Sequence, residues 1–215
     1  MRHAMTLALT LCAAPVLAQE VDGDPWCDDL EPGLAGGVSC ALPAGDSDIL
    51  HFDYAPAEFG HVLTVRQFDH EGDLRAGTET LLEIDEVHLA PELRDITEDG
   101  IPELFIPVAS GTANLVHAVW MADGSGVYKP LGEVFSFGVE SLEVKDGLLM
   151  SATRTSAAEY QETGQRVGTT GLTTAYRLTV DYAERSCTLT EGEAFAAAGR
   201  SAEDIIADCE AREWD

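Results

Sequence analysis

The chain has 215 residues and carries 39 acidic against 12 basic residues, a formal net charge of −27. Its length suits a single domain of ordinary size. So negative a charge makes nucleic acid and anionic membrane surfaces poor partners, and it attracts a cationic protein. The charge equally suits a protein that only has to stay soluble outside the cell.

The first 18 residues have the pattern of a secretory signal peptide. A basic start precedes the apolar stretch Met5–Leu11, and Val16-Leu17-Ala18 has the small-residue pattern of a cleavage site. The apolar stretch is too short to span a membrane, and no other stretch of the sequence is apolar enough to do so. We therefore expect an exported protein, periplasmic or secreted, without a membrane span.

The cysteines bear on the same question. Cys12 lies in the predicted signal peptide, where it raises the alternative of a lipid anchor, but the leucine before it does not fit a lipoprotein signal. The other four predict two disulfides, and three pairings are possible. We favour Cys27–Cys40 and Cys187–Cys209, because each pair closes a modest loop and contributes roughly 3 kcal/mol in the chain-entropy model. Their spacing fits neither a zinc site nor a thioredoxin-type site.

The sequence between the signal peptide and residue 190 predicts a mainly β protein. Residues 19–48 are rich in Gly, Pro and Asp, and we expect an extended segment stapled by its disulfide. Residues 49–190 hold short apolar runs separated by turn residues, which is typical of an antiparallel β domain. A mobile loop is expected over 163–171. The predicted strands are Ile49–Tyr54, His61–Phe68, Thr80–Ile84, Leu104–Ala109, Leu115–Met121, Val134–Phe137, Leu148–Thr155, Thr173–Asp181 and Ser186–Leu189.

The last residues, 191–215, follow a helical pattern. Thr190 with Glu193 resembles a capping box opening a helix over Ala194–Ala198. Ser201 with an acid three residues later predicts a second helix from about Ala202 to Arg212. We expect this short helical tail to pack on the same domain, held there by its cysteine.

The loop Asp95–Glu103 is the strongest local motif. Calcium takes six to eight oxygen ligands. This loop offers side-chain oxygens at its first, third and fifth positions, a backbone carbonyl at the seventh and a carboxylate at the ninth. Gly100, at the sixth, permits the sharp turn. The candidate Ca²⁺ ligands are Asp95, Thr97, Asp99, Ile101 and Glu103.

Two features separate this loop from an EF-hand. The twelfth position is Ile106 where an EF-hand has a bidentate Glu, and a strand is predicted from Leu104. Thr97 brings no charge, which weakens the site. We expect a bound ion to be structural, joining the loop to the strand. The alternative is an Asp-Gly turn without metal, its carboxylates solvated.

From this loop onward the chain resembles a known group. The loop, a strand, Leu115–Met121, a turn and Val144-Lys145-Asp146-Gly147 before a long hairpin follow in the same order. They resemble exported bacterial proteins with a β-propeller-like fold, related to periplasmic inhibitors of invertebrate-type lysozyme and to immunity proteins against lysozyme-like effectors. The resemblance covers residues 80–190. It implies antiparallel sheets in a β-propeller-like or sandwich arrangement, structural Ca²⁺ and a cationic lysozyme-like partner.

The same resemblance implies a partner-binding site. In such inhibitors, short loops with Ser-Gly…Tyr and Tyr…Thr-Gly elements enter the cleft of the glycosidase, where an acidic surface steers a basic enzyme. The second element is one residue shorter here than that pattern. The alternative is that Ser-Gly is ordinary hairpin chemistry and each Tyr packs on a sheet. The candidate residues are Ser125, Gly126, Tyr128, Tyr160, Thr163 and Gly164.

The sequence contains no recognised catalytic motif. It has no GxSxG, HExxH, P-loop or dinucleotide-binding pattern. The histidines are scattered, and we interpret His51, His61 and His117 as core or surface residues of strands. Acidic pairs perform glycosidase chemistry only when held about 5–10 Å apart in a cleft.

The leading hypothesis is therefore an exported, Ca²⁺-stabilised, non-enzymatic binding protein, an inhibitor of a lysozyme-like enzyme or an immunity protein against one. The alternatives are a structural or assembly module of the cell envelope and an unrecognised hydrolase.

Overall fold

A computed structural model describes residues 24–31, 37–45, 47–85 and 89–214. The predicted signal peptide, with Cys12, lies outside the described residues. Within them, thirteen strands form three antiparallel sheets. Strands that are adjacent in sequence are adjacent in each sheet, so every sheet is a simple meander.

The first sheet contains β1 to β4 and the second contains β5 to β8, each in chain order. The third has the order β13-β12-β11-β10-β9. Asp146 and Gly147 both have positive φ, 53° and 77°, as expected for the two-residue turn that joins β9 to β10. The strands are β1 Cys40–Ala44, β2 Asp48–Pro56, β3 His61–Phe68, β4 Thr80–Ile84, β5 Glu92–Arg94, β6 Glu103–Ser110, β7 Leu115–Ala122, β8 Tyr128–Ser136, β9 Glu143–Lys145, β10 Leu148–Arg154, β11 Glu159–Gly168, β12 Gly171–Asp181 and β13 Ser186–Glu191.

Three hydrophobic clusters hold the sheets together. Phe52 and Leu63 of the first sheet pack with Trp120 of the second. On the other face of the second sheet, Phe105 belongs to a cluster that also contains Leu149 of the third. The central β6 strand is buried on both faces, which explains its continuous apolar run. A third cluster joins the third sheet to the C-terminal helix.

The C-terminal tail contains a 3-10 helix and an α-helix. The α-helix, α1, spans Ala202–Glu210, and Ser201 caps it by accepting a hydrogen bond from the Asp204 N–H, as the sequence predicts. The preceding helix is only a 3-10 helix, Phe195–Ala198. The predicted capping box is wrong, because Thr190 is paired within β13 and cannot cap a helix.

The mainly β prediction with a short C-terminal helix is confirmed. The described residues form no closed barrel or propeller. The predicted mobile loop over 163–171 is wrong, because residues up to Gly168 continue β11 and pair with β12. Residues 168–171 form the turn of that hairpin. The sequence also missed β1, β5, β9 and β11.

Both favoured disulfides are present. Cys27–Cys40 joins a short 3-10 helix, Cys27–Asp29, to β1, and its Cα atoms are 5.0 Å apart. Cys187–Cys209 joins β13 to α1 across 6.2 Å. Two disulfides fit a protein of an oxidising compartment, and so are consistent with export. In the described part of the chain, no helix is both long and apolar enough to cross a bilayer.

Candidate functional site

The Asp95–Glu103 loop connects β5 to β6 and is held by its own carboxylates. The Asp95 carboxylate accepts hydrogen bonds from the backbone N–H groups of Asp99 and Gly100, at 3.2 and 2.9 Å. The Asp99 carboxylate accepts from the N–H of Ile101 at 2.8 Å. Gly100 has a φ of 86°, so the expected sharp turn is there.

Glu103 closes the loop from the strand side. Its carboxylate is buried and accepts from the Ile96 N–H at 2.9 Å and from the Thr97 hydroxyl at 2.7 Å. Asp95, Asp99 and Glu103 do not form a group of ligand atoms within 4.8 Å of one another among the described residues. The loop therefore brings the candidate ligands to one turn, while hydrogen bonds to the chain already engage their oxygens.

The Ser125–Tyr128 element lies in the turn between β7 and β8. The Ser125 hydroxyl donates to Asp123 at 2.5 Å. Lys129 and then Ser125 hold the pKa of Asp123 well below its usual range by hydrogen bonding to its carboxylate. Tyr128 is buried, and its hydroxyl donates to the Pro102 carbonyl at 2.8 Å.

A buried glutamine fixes this turn to the first sheet. Gln67 of β3 donates to the Gly126 carbonyl at 2.8 Å and to Asp48 at 2.7 Å, and it accepts from the Tyr128 N–H at 3.0 Å. Arg75 donates to the other Asp48 oxygen at 2.8 Å. These contacts stabilise the junction of the first two sheets and leave the Tyr128 side chain inside it.

The second element that the sequence predicted for partner binding lies in a strand. Thr163 and Gly164 belong to β11, between β10 and β12, so they are not on a loop. Tyr160, near the start of that strand, is half-buried in a row of edge-to-face aromatic rings. Successive ring centres lie 5.9, 5.4 and 5.6 Å apart along Phe137, Tyr160, Tyr182 and Trp214.

Two acidic groups escaped the sequence analysis. Asp69, Glu71 and Asp73 lie in the β3–β4 connection with carboxylate oxygens within 4.8 Å of one another. Their spacing, with acids at alternate positions around Gly72, was the available signal. The second group joins distant segments, so only the fold reveals it. It contains Asp24, His51 and Asp53.

His51 is buried between the two aspartates of that group. Its Nε2 lies 2.7 Å from Asp24, and its Nδ1 lies 3.3 Å from Asp53. Arg66 pairs with Asp53 and, at 2.8 Å, with Glu79. This chain of polar contacts ties the N-terminal segment to the first sheet.

An open groove marks the seam between the first and second sheets, and we call it the seam groove. Its volume is about 580 Å³. Two phenylalanines stand beside it, Phe59 from the β2–β3 turn, 82% exposed, and Phe135 from β8, 54% exposed. Gly60 has a φ of 72°, and a Cβ there would collide with the Ile84 carbonyl. That close approach fixes the turn that carries Phe59 against β4.

The seam groove is strongly acidic. The described residues that line it include four carboxylic acids and His61, and no Lys or Arg. A hydrogen bond joins the two sheets within the groove. The Asp85 N–H, just after β4, donates to the Val108 carbonyl of β6 at 2.9 Å. Four exposed acidic residues line the groove together with the two phenylalanines: Glu58, Glu83, Asp85 and Glu133.

No protein-family model and no curated protein matches the chain. A solved structure described as a Xanthomonas type IV secretion system related protein is 13% identical. It aligns with a TM-score of 0.40 over 73% of this chain and 88% of that chain. A likeness of this degree does not bear on function. Fold and site together define an acidic, mainly β, disulfide-bonded protein with a groove between two of its sheets.

Proposed function

We propose that this chain is an exported, non-enzymatic binding protein whose seam groove receives a cationic protein, and that the partner is a lysozyme-like enzyme. The observation that carries the proposal is that the exposed Phe59 and Phe135 line the same groove as four carboxylates. Exposed aromatic side chains supply apolar anchors for an interface, and a surrounding charge of one sign selects a partner of the other. The sequence resemblance supplies the partner class.

In this proposal the partner contacts the seam groove and not the two tyrosine elements that the sequence suggested. The buried hydroxyl of Tyr128 is bonded to Pro102, so its removal would perturb the protein rather than an exposed surface. Tyr160 packs between two other rings. Weakened inhibition by an alanine variant of either tyrosine would therefore not distinguish contact from folding.

Calcium at the Asp95–Glu103 loop belongs to the same proposal as a structural ion. Carboxylates at three positions of one turn, with Gly100 at the tight corner, supply the oxygen chemistry that Ca²⁺ takes. Carboxylate oxygens accept more than one contact, so the hydrogen bonds of Asp95 and Glu103 leave lone pairs for an ion. Such an ion would brace the start of β6.

The test is inhibition and binding with matched surface variants. The protein should lower turnover by a lysozyme at a near-stoichiometric ratio. Phe59→Ser with Phe135→Ser should weaken binding at least tenfold, since apolar anchors carry most of such an interface. Leu81→Ser is the control. Leu81 lies in β4 of the first sheet and is 67% exposed, but it does not line the groove.

Charge reversal separates steering from packing. Glu58→Lys with Glu133→Lys should slow association and reduce its salt dependence, while leaving dissociation nearly unchanged. If the protein neither binds nor inhibits a lysozyme of any class, the lysozyme assignment is refuted. Groove-dependent capture of an envelope protein instead would favour the assembly-module alternative.

A further inference from the structure

A second pocket lies on the opposite side of the second sheet from the seam groove, and we call it the His117 pocket. It is bounded by the 3-10 helix after Trp26, the start of β5, β7, and a 3-10 helix at Val139–Ser141. Its volume is about 300 Å³, the size of a small organic molecule. Apolar side chains form much of its wall, including Leu30, Leu115 and Val139.

The pocket contains a buried polar atom without a partner. His117 is one of the residues that line the pocket, it is 2% exposed, and its Nδ1 makes no hydrogen bond within the described residues. The opposing residue on β6 is Pro107, which has no N–H, and the pairing of the two strands shifts register just beyond it. Leaving such an atom unpaired costs stability, and a ligand that pairs with it recovers that cost.

The rim of the pocket is acidic. Asp28, Glu92 and Glu140 line it, and no Lys or Arg is among its described lining residues. Burial raises the pKa of Glu92, and the charge of Glu140 raises it further. Gly138 makes room for Glu140, because a Cβ at Gly138 would collide with that carboxylate. A positive charge at this rim would relieve the repulsion between the two glutamates.

The floor accepts a hydrogen bond at neutral pH. Burial lowers the pKa of His117 to about 4, and the charge of Glu140 opposes that shift only in part. The imidazole is therefore neutral at pH 7, and Nδ1 is an acceptor in the tautomer that carries its proton on Nε2. In that tautomer, the group that His117 lacks is an N–H donor.

We propose that the His117 pocket binds an organic cation with an apolar stem, a primary ammonium or guanidinium. The cationic N–H donates to His117 Nδ1, the carboxylates of Glu92 and Glu140 neutralise its charge, and the stem packs on Leu115 and Val139. A bare metal ion fits less well. Ligand atoms of His117, Glu92 and Glu140 do not form a group within 4.8 Å among the described residues, and metal–ligand bonds are about 2 Å long.

The experiment titrates the full chain with 1,5-diaminopentane and with agmatine, by calorimetry and by NMR of the histidine ring signals. Both probes should bind and shift the His117 signals. Pentanol and pentanoate, of the same stem, should not bind, since they lack the cation. Tetramethylammonium should bind at least tenfold more weakly, because it has charge without an N–H donor.

Variants locate the binding and keep the inference falsifiable. His117→Phe and Glu140→Gln should each weaken binding at least tenfold, while the exposed control Glu71→Gln should leave it unchanged. Glu140 is exposed, so its variant tests the rim without disturbing the fold. Equal binding to all three variants would overturn the proposal, as would a His117 shift produced by Zn²⁺ alone and not by the amines. The measurement needs no protein partner, so its outcome is independent of the seam groove.

Discussion

The Asp95–Glu103 loop and the His117 pocket both involve the second sheet, and they differ in whether their polar groups have hydrogen-bond partners. In the Asp95–Glu103 loop, four hydrogen bonds join the carboxylates of Asp95 and Glu103 to N–H and O–H groups of the same loop. In the His117 pocket, the Nδ1 of a nearly inaccessible ring has no partner among the described residues. The loop's polar groups support the fold, whereas the pocket's histidine costs the fold stability.

The difference has a physical origin in where the groups sit. Short acidic side chains in a tight turn reach the backbone N–H groups exposed by that turn, so local sequence satisfies them. His117 sits on a strand whose partner residue is Pro107, and it faces a pocket wall contributed by distant segments. A buried group in such a place is satisfied only by a neighbour or a ligand. Stability measurements test this contrast.

The largest expected effect is the pH dependence set by His117. Burial lowers the pKa of His117 from 6.5 to about 4 on folding. Between these two pH values His117 is protonated in the unfolded chain and neutral in the folded chain. The wild type should lose about 3 kcal/mol of stability from this group as the pH falls from 6.5 to 4. Urea unfolding at successive pH values measures the loss, and His117→Phe should flatten that slope.

Glu92 acts in the opposite direction and does not hide the effect. Its raised pKa means that the folded chain holds a proton to higher pH than the unfolded chain, so its contribution is lost as the pH rises. Because the variant retains Glu92, the difference between the two pH curves isolates His117. Parallel curves for wild type and His117→Phe would contradict the assignment of a neutral, unpartnered ring.

The next effect in size is the loss of Glu103. Glu103→Ala removes both acceptors and leaves the Ile96 N–H unpaired in a buried position, which should cost about 2 kcal/mol. Denaturant unfolding at pH 7 measures it. Glu98→Ala is the control, since Glu98 is exposed in the same loop and surface changes stay within about 0.5 kcal/mol. Equal costs for the two variants would mean that the loop is not held by Glu103.

The sequence predicted best those elements whose pattern is local. A run of apolar residues such as the one in β6 predicts a strand without knowledge of its neighbours. Ser201 predicts the start of α1, because its side chain can cap a helix. β11 escaped because it lies between two strands of a half-exposed sheet, where polar residues and Gly164 make a strand look like a loop. Its partners along β12, not its own residues, fix its structure.

The sites divide in the same way. The Asp95–Glu103 loop is recognisable because its acids and glycine are adjacent in sequence. The sequence placed His117 in a strand as a core or surface residue, and the structure buries it in β7. Its missing partner could not be foreseen, because the pocket wall that it faces comes from distant segments. The seam groove was not foreseen, because Phe59 and Phe135 are brought together only by the packing of two sheets.

The smallest effect tests whether the loop, already satisfied by its own hydrogen bonds, also holds calcium. Calcium-binding modules of exported proteins dissociate at about 10⁻⁴–10⁻³ M, so 1 mM Ca²⁺ should stabilise the native state by about 1 kcal/mol. Thermal melting in Ca²⁺ and in EDTA measures the shift. Asp99→Ala should abolish it, because that variant removes the fifth-position ligand.

Asp73→Ala gives the matched control, because Asp73 belongs to the other acidic turn and its carboxylate lies near those of Asp69 and Glu71. Loss of the calcium shift in Asp73→Ala alone would move the ion to the β3–β4 connection, where three carboxylates already converge. If the melting temperature is unchanged in EDTA, neither turn binds calcium. The contrast between the loop and the His117 pocket would then be complete, because hydrogen bonds alone would hold the loop while the pocket still lacked a partner for its histidine.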